Sequence, residues 1–307
     1  MSGEAHTKKN MTFRSSVRKL LPSGLVQNGR RLVTFARRTV AWVEVLTGIR
    51  GRSALDRRAV GRSIFNARRA IFERPDQWVD PYLVCDAQVE VRGSGAFEVR
   101  GYCDDLAHVL PSHNMAVLRA MRGRLKPGDV AIDAGANIGA VTVPMARLVG
   151  REGRILAIEM MPDTARQLQR NLALNGLSNV KVVQAALSDQ ENQTVQAFVP
   201  QGGFHGQASI TRAPDRAGDS IEVQTATLDR LLSDYPQIAL VKMDLEGAEA
   251  AALGGCQEAL KRIKAVLFES WGRDGGEVRS ILERAGFAIH PVDSRNQLAI
   301  RPAGEPS

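Results

Sequence analysis

Five short apolar runs punctuate the second half of the chain: "DVAID" (129–133), "RILAIE" (154–159), "VKVVQAA" (180–186), "IALVKMD" (238–244) and "KAVLFE" (264–269). They are almost continuously apolar rather than alternating, the pattern of strands buried on both faces. Segments with helical periodicity separate most of them, at 138–149, 163–175 and 248–262. Strands and helices in alternation predict a parallel sheet covered on both sides by helices. The end of the chain departs from this. "FAIHPVD" and "NQLAIRP" have little more than Ser294 and Arg295 between them. That gap is too short for a crossover, so it predicts a hairpin and an antiparallel last strand.

Upstream, "LVCDAQVEVRGSGAFEVRG" places two β-prone runs around Gly93, Ser94 and Gly95, which predicts another hairpin. Before it the period changes to that of helices. On a helical wheel Leu32, Phe35, Ala36, Val40, Trp42, Val43, Leu46 and Ile49 share one broad face, with Arg37, Arg38 and Glu44 on the other. After Gly48 and Gly51, Val60, Ile64, Ala67 and Ile71 form a narrower stripe, with Arg58, Arg62 and Arg69 roughly opposite. The chain thus divides into a helical extension (1–75), a hairpin that leads into the main domain or covers it (76–110), and an α/β domain (111–307). Within the last, 190–227 is a long polar insertion rich in Gly and Gln, of the kind that is often functional.

Charge changes the picture. The net charge is +8, but residues 1–75 hold 17 Lys and Arg against 4 Asp and Glu, and the rest is acidic on balance. The basic character belongs to the extension, so no nucleic-acid partner is expected for the body. The amphipathic basic helices of residues 30–72 suit packing on the body, dimerisation, or peripheral contact with an anionic membrane. Cys85, Cys103 and Cys256 are widely spaced, odd in number and outside any metal-ligand pattern, which favours a reducing compartment. No uninterrupted apolar run of membrane-spanning length occurs, and the stretch "MSGEAHTKKNMTFRSSVRKLLPSG" lacks the apolar core of a secretory signal. The expected location is cytoplasmic, with membrane-peripheral attachment as a variant.

The chemistry gathers at strand ends. "AIDAGANIGAVT" reads as strand, glycine turn and helix, the form of a nucleotide site. The glycines are Gly135 and Gly139, and Asn137 stands where a dinucleotide fold has its middle glycine. That opposes a nicotinamide cofactor and an oxidoreductase. Asp133 at the strand end would repel a pyrophosphate but attract an ammonium group. S-adenosylmethionine (SAM) carries an ammonium and a sulfonium and has no phosphate. Glu159 ends the second strand, where a carboxylate can accept from both ribose hydroxyls, and Asp189 follows the third, where it can meet an adenine amine or simply cap a turn. In "VKMDLEGAEAAALGG", Asp244 ends the fourth strand with Glu246 and Glu249 behind it. Such carboxylates can act as a base, stabilise a sulfonium, charge a helix N-terminus, or hold Mg2+ in preference to zinc. Asp244 and Glu246 are the catalytic candidates. Glu269 and His205, the latter in the polar insertion, come next.

In these segments, "DAGANIGAVT", "AIE" with Pro162 behind it, "NLALNGLSNVKVVQAALSD", "TLDRLL", "LVKMDLEGAEAAALGG" and "LFE", the chain resembles the FkbM family of SAM-dependent methyltransferases over about 129–269. One departure is Glu159-Met160-Met161-Pro162, where that family usually reads Glu-Pro-x-Pro. The resemblance implies a Rossmann-like class I methyltransferase fold, a seven-stranded mostly parallel sheet with an antiparallel last strand. It implies O-methylation, commonly on a sugar or a cyclic secondary metabolite, so the expected partner is a small-molecule or glycan acceptor. It places Asp133, Gly135, Asn137 and Gly139 on the cofactor loop, Glu159 on the ribose and Asp189 near adenine. A SAM-binding scaffold without catalysis, recruited through the basic helices, is the alternative.

Overall fold

The structure, a computed structural model, describes residues 23–72, 80–200, 203–211, 219–270 and 274–302. The N-terminal 22 residues read above for targeting signals lie outside them.

The first described element is a long helix, α1 (Ser23–Gly48), followed by strand β1 (Ile49–Gly51) and helix α2 (Ala54–Phe72). Ser53 and Asp56 start α2 by reciprocal bonds: the Asp56 amide donates to Ser53 Oγ at 3.1 Å, and the Ser53 amide to Asp56 Oδ2 at 2.8 Å. The predicted hairpin is β2 (Ala87–Val91) and β3 (Gly95–Val99). It pairs with β1 into a small antiparallel sheet, so the Gly48/Gly51 break is itself a strand.

Two short helices follow, α3 (Asp105–Val109) and α4 (Pro111–Arg122). Then the α/β domain begins: β4 (Val130–Ala134), α5 (Thr142–Val149), β5 (Arg154–Ile158), α6 (Pro162–Leu174) and β6 (Val180–Val183). Next come β7 (Ala186–Leu187), β8 (Thr194–Val199), β9 (Asp219–Ala226) and α7 (Leu228–Leu231). The chain ends with β10 (Leu240–Met243), α8 (Glu249–Gly254), β11 (Ala265–Glu269), α9 (Asp274–Arg284), β12 (Ala288–Pro291) and β13 (Asn296–Ile300).

The central sheet has seven strands in the order β12-β13-β11-β10-β4-β5-β6. β4, β5, β6, β10 and β11 pair in parallel, and β13 runs antiparallel between β11 and β12. This is the expected Rossmann-like sheet with its reversed last strand. From β4 the chain moves outward through β5 and β6, then returns to the other side of β4 as β10. The carboxyl ends of β4 and β10 therefore flank a topological switch point, the place where such sheets bind ligands.

Three expectations need correcting. Residues 180–186 are two strands: β6 pairs with β5, whereas β7 leaves that sheet to pair with β9. The helical pattern at 248–262 stops at Gly254 and resumes as a 3-10 turn at Ala259–Arg262. The broad apolar face of α1 is not its packed face. Arg38, Trp42 and Val45 are buried, while Leu32, Phe35, Val40, Val43 and Leu46 are exposed. A helix wheel sorts residues by polarity, but contact with the body follows a narrow seam spaced three and four residues apart.

The hairpin does not cover the switch point. It is fastened along α6: the Glu98 amide donates to Asn171 Oδ1 at 2.6 Å, the Ala96 amide to Asn175 Oδ1 at 3.0 Å, and Gln167 Nε2 to the Glu98 carbonyl at 2.7 Å. α3 is anchored by Asp105, fully buried, which accepts from Arg100 Nε and Nη2 at 2.8 and 2.7 Å and from Gln167 at 3.0 Å. Cys103 and Cys256 are buried and burial pushes both thiols up to about 12, so they act as small apolar groups; Cys85 is exposed. No described helix is long and apolar enough to cross a membrane.

Candidate active site

The turn after β4 is shaped by packing. A Cβ on Gly135, where φ is +78°, would lie 1.8 Å from the Asp244 carbonyl oxygen; on Gly139, where φ is +97°, it would lie 2.7 Å from Leu168 Cδ1. The two glycines therefore let β10 and α6 close onto the turn, a reason independent of any ligand. Between them Asn137 adopts φ 47°, and its amide donates to Glu159 Oε2 at 2.9 Å. The other oxygen of Glu159 accepts from the Met161 amide at 2.9 Å. Burial raises the Glu159 pKa against those two bonds. The Pro-to-Met departure at 160 leaves this cradle intact, since its donor is the Met161 amide.

Asp133 is fully buried beneath the turn and does not face the cavity. It accepts from Thr142 Oγ1 at 2.6 Å and sits across the β4–β10 pairing from Lys242, whose Nζ is 3.3 Å from Asp133 Oδ1. Lys242 Nζ also donates to the Gly135 carbonyl at 3.0 Å and lies 3.7 Å from Asp244 Oδ2. Burial alone would lower the Lys242 pKa, but Asp133 and Asp244 raise it. Lys242, absent from the candidates above, is thus a buried cation that neutralises Asp133 and holds up the turn. Its signal in the sequence was a charged residue inside an otherwise apolar strand.

A cleft of about 900 Å3, counting its open mouth, lies over the switch point. Gly135, Asn137, Glu159, Lys242, Asp244 and Glu246 line it. Ala185, Ala186 and Leu187 add an apolar wall where the chain crosses from β6 to β7. His205 and Gly206 close over it from the insertion, as part of a 3-10 turn at His205–Gln207. Burial, then the charge of Arg100, lowers the His205 pKa. Gly139 and Glu269 do not line the cleft, and neither does Asp189, which is exposed and accepts from Ser188 Oγ at 3.2 Å. Asp189 thus lies in a bend just beyond the cleft lining, two residues after Leu187.

The carboxylates after β10 separate by role. Glu249 is buried and accepts from the Leu245 and Gly247 amides at 2.7 and 3.1 Å, so it closes the turn before α8. Glu246 has φ 51° and its carbonyl accepts from Ser209 Oγ at 2.9 Å, tying the insertion to the site. Carboxylate oxygens of Asp244, Glu246 and Glu269 lie within 4.8 Å of one another. Burial would raise the Asp244 pKa, but Lys242, a hydrogen bond with Glu269, and His108 and His113 together lower it. Asp244 and Glu269 thus lie within hydrogen-bonding reach, and the lowered pKa keeps the negative charge on Asp244.

Two residues of the opposite wall had no motif to announce them. His108 on α3 and His113 on α4 both line the cleft, with ring centroids 4.9 Å apart, edge to face. His108 Nε2 is 3.2 Å from Asp104 Oδ2, one turn back on the helix, and Asp104 also accepts from the Gly206 amide at 3.2 Å. Burial would lower the His108 pKa, but Asp104, Asp244 and Asp105 raise it. Burial and the charge of His108 push His113 the other way. Adjacent titratable groups driven apart in this manner are the usual preparation for acid–base work.

The profile described as "Methyltransferase FkbM domain" matches residues 133–289. The chain is 28% identical over 197 residues to 31-O-demethyl-FK506 methyltransferase FkbM of Streptomyces tacrolimicus, covering 54% of this chain and 75% of that one. A shorter match, 36% over 62 residues, joins it to a protein-L-isoaspartate O-methyltransferase of Caenorhabditis elegans, over 20% of this chain and 28% of the other. Among solved structures, precorrin-6y C5,15-methyltransferase from Geobacter metallireducens superposes with a TM-score of 0.40 at 17% identity, covering 62% of this chain and 88% of that one.

Proposed function

The chain belongs to the FkbM family of SAM-dependent methyltransferases, and on that premise we propose that it methylates a hydroxyl group on a sugar, glycan or cyclic secondary metabolite. The oxidoreductase reading falls with the family assignment. The hydroxyl acceptor rests mainly on one observation, the Asp104–His108 pair on the cleft wall. A hydroxyl is a poor nucleophile and needs a base for its departing proton, which this pair can supply.

The residues present suit SAM. Glu159 has a lone pair left on each oxygen after its two backbone bonds, which fits the two hydroxyls of a ribose. Asn137 Oδ1 is buried without a partner and can accept from a bound donor. Asp244 stays ionised and lies two strand positions from Glu159, on the far side of β4, so it can face the cationic end of the cofactor. The wall of Ala185 to Leu187 suits adenine. When bound, SAM supplies an electrophilic methyl group on its sulfonium. His108 performs the proton step. Asp104 accepts from Nε2–H and so selects the tautomer whose Nδ1 lone pair takes the acceptor's proton, and Asp244 offsets the positive charge that His108 then carries. No step in this scheme engages the Asp244, Glu246 and Glu269 carboxylates as Mg2+ ligands.

Calorimetry on the wild type and on Glu159→Ala tests the cofactor half. The substitution removes two charge-assisted bonds of about 1.5–3 kcal/mol each, so SAM affinity should fall at least about a hundredfold. An unchanged dissociation constant rejects the ribose role. Isotopically labelled SAM added to cell extracts, with mass spectrometry of the products, tests the acceptor half. Label on a glycan or metabolite hydroxyl supports the proposal; label on protein or nucleic acid overturns it.

A further inference from the structure

An apolar stripe runs along the solvent-facing side of α1 between Leu32 and Leu46, with Arg37 and Thr47 also exposed. Leu32, Ala36, Val40, Val43 and Leu46 follow one another at helical spacing and are exposed, Leu32 by 70%, Val40 by 65% and Leu46 by 61%. From Leu32 to Leu46 this stripe runs about 21 Å. Isolated exposed apolar residues are ordinary, but a continuous stripe that turns its back on the core marks an interaction surface.

The neighbouring helix supplies the second half of the pattern. α2 packs beside α1, and the Phe35 and Phe72 rings meet at 5.5 Å, so the two outer faces adjoin. The outer face of α2 carries Arg58, Arg62, Arg68 and Arg69 with Phe65 and Phe72 among them, all exposed. Arg68 lies over the Phe65 ring at 4.7 Å. Residues 31–72 contain 10 arginines and two carboxylates, and both carboxylates are engaged away from this surface. Glu44 binds the Ser112 amide at 2.9 Å, and Asp56 accepts from Ser53 and from the Gln88 amide at 3.0 Å. An apolar stripe flanked by arginines and aromatic rings, with no acidic residue on it, complements an anionic lipid surface in both hydrophobicity and charge.

We propose that α1 and α2 dock the protein in the plane of an anionic phospholipid bilayer, with the α1 stripe in the acyl boundary and the α2 arginines on the headgroups. A second copy of the chain is a poorer occupant. Two-fold pairing through this face would set the α2 arginines of both copies side by side, and like charges across an interface are unfavourable. The Glu44–Ser112 contact ties α1 to the first turn of α4, which carries His113 to the cleft, so the docked surface and the site share a rigid connection.

Co-sedimentation of the full chain with phosphatidylcholine vesicles, with and without phosphatidylserine, is the test. Binding to the serine-containing vesicles should be at least tenfold stronger than to phosphatidylcholine alone and should weaken sharply as salt is raised, since surface charge attraction is screened within about 10 Å at 0.1 M. The double variant Val40→Asp/Val43→Asp should lose binding, while Arg58→Glu/Arg62→Glu should lose the preference for phosphatidylserine. Retained SAM affinity by calorimetry shows that each variant is folded and keeps this result separate from the methyltransferase question. Equal binding to neutral vesicles, no binding to either, or a dimer by light scattering that Val40→Asp/Val43→Asp dissolves without any vesicle binding overturns the proposal.

Discussion

At the scale of single residues, the assignment of the base turns on which group is held in a usable protonation state. Asp244 is the natural choice from its strand-end position, but Lys242 at 3.7 Å and the two histidines keep it ionised, which makes it a weak base. His108 has the opposite bias, raised by Asp104 and Asp244 above the ordinary imidazole value. The carboxylates Asp104, Asp105 and Asp244 raise it and the His113 ring packs against it, so its titration depends on all of them. The proposed proton step needs neutral His108, so kcat/KM should fall as pH drops through its raised pKa. His108→Gln should lower turnover about 100- to 10,000-fold, the range of a general base, with SAM affinity little changed. Asp104→Asn removes the main raising influence and should move the acidic limb of the pH profile to lower pH. A limb in the carboxylate range, abolished by Asp244→Asn and unmoved by Asp104→Asn, would return the role to Asp244.

The same scale shows why some roles were readable and others were not. The place of Glu159 in the cleft was legible because strand order alone puts a strand-end carboxylate at the edge of the switch point. Asp133 looked equally well placed, yet its side chain points into the sheet, where the β4–β10 register pairs it with Lys242. One residue of alternation separates a cleft-lining carboxylate from a buried counterion, and spacing in a short apolar run does not resolve it. His108, His113 and Asp104 were hidden because they come from two short helices ahead of the sheet, and their convergence depends on how α3 is tied to α6 through Asp105 and Gln167.

Among elements, the strands that run in parallel were recognisable from their continuous apolar character, and the terminal hairpin from the brevity of its loop. The hairpin of β2 and β3 was recognisable too, but not where it docks. Its anchor is α6, through Asn171 and Asn175 of the "NLALNG" segment, residues that a functional motif makes easy to mistake for ligands. Asn171 is fully buried and bridges two elements: its Oδ1 accepts from the Glu98 amide of β3 and its Nδ2 donates to the Ile138 carbonyl in the glycine turn at 2.8 Å. Asn171→Ala strands both backbone groups, at about 1–3 kcal/mol each. Urea denaturation should therefore show a loss of about 3 kcal/mol, with weaker SAM binding because the turn loses a support. A loss below about 0.5 kcal/mol, the level of an ordinary surface substitution, would mean that the hairpin is held by its apolar face and by the Asn175 and Gln167 bonds without help from Asn171.

For the molecule as a whole, the division into extension, hairpin and α/β domain describes composition better than it describes packing. One buried cluster contains Trp42 of α1, Val60 of α2, Phe97 of β3 and Leu168 of α6, together with Ile138 of the glycine turn. The basic extension is thus built into the same apolar core that supports the cofactor turn, although its charge sets it apart. Elements that share a core unfold together, because exposing one removes the burial that stabilises the next. Thermal unfolding of the full chain should therefore be a single calorimetric transition. The fluorescence of Trp42, isolated by replacing Trp78 and Trp271 with Phe, should change at the same midpoint as the far-ultraviolet signal of the whole chain. Val60→Ala should lower both midpoints equally, as cavity formation in a shared core requires. An earlier transition seen by Trp42 alone, shifted by Val60→Ala while the main one stays fixed, would show that the extension folds as its own unit and leaves the methyltransferase domain independent of it.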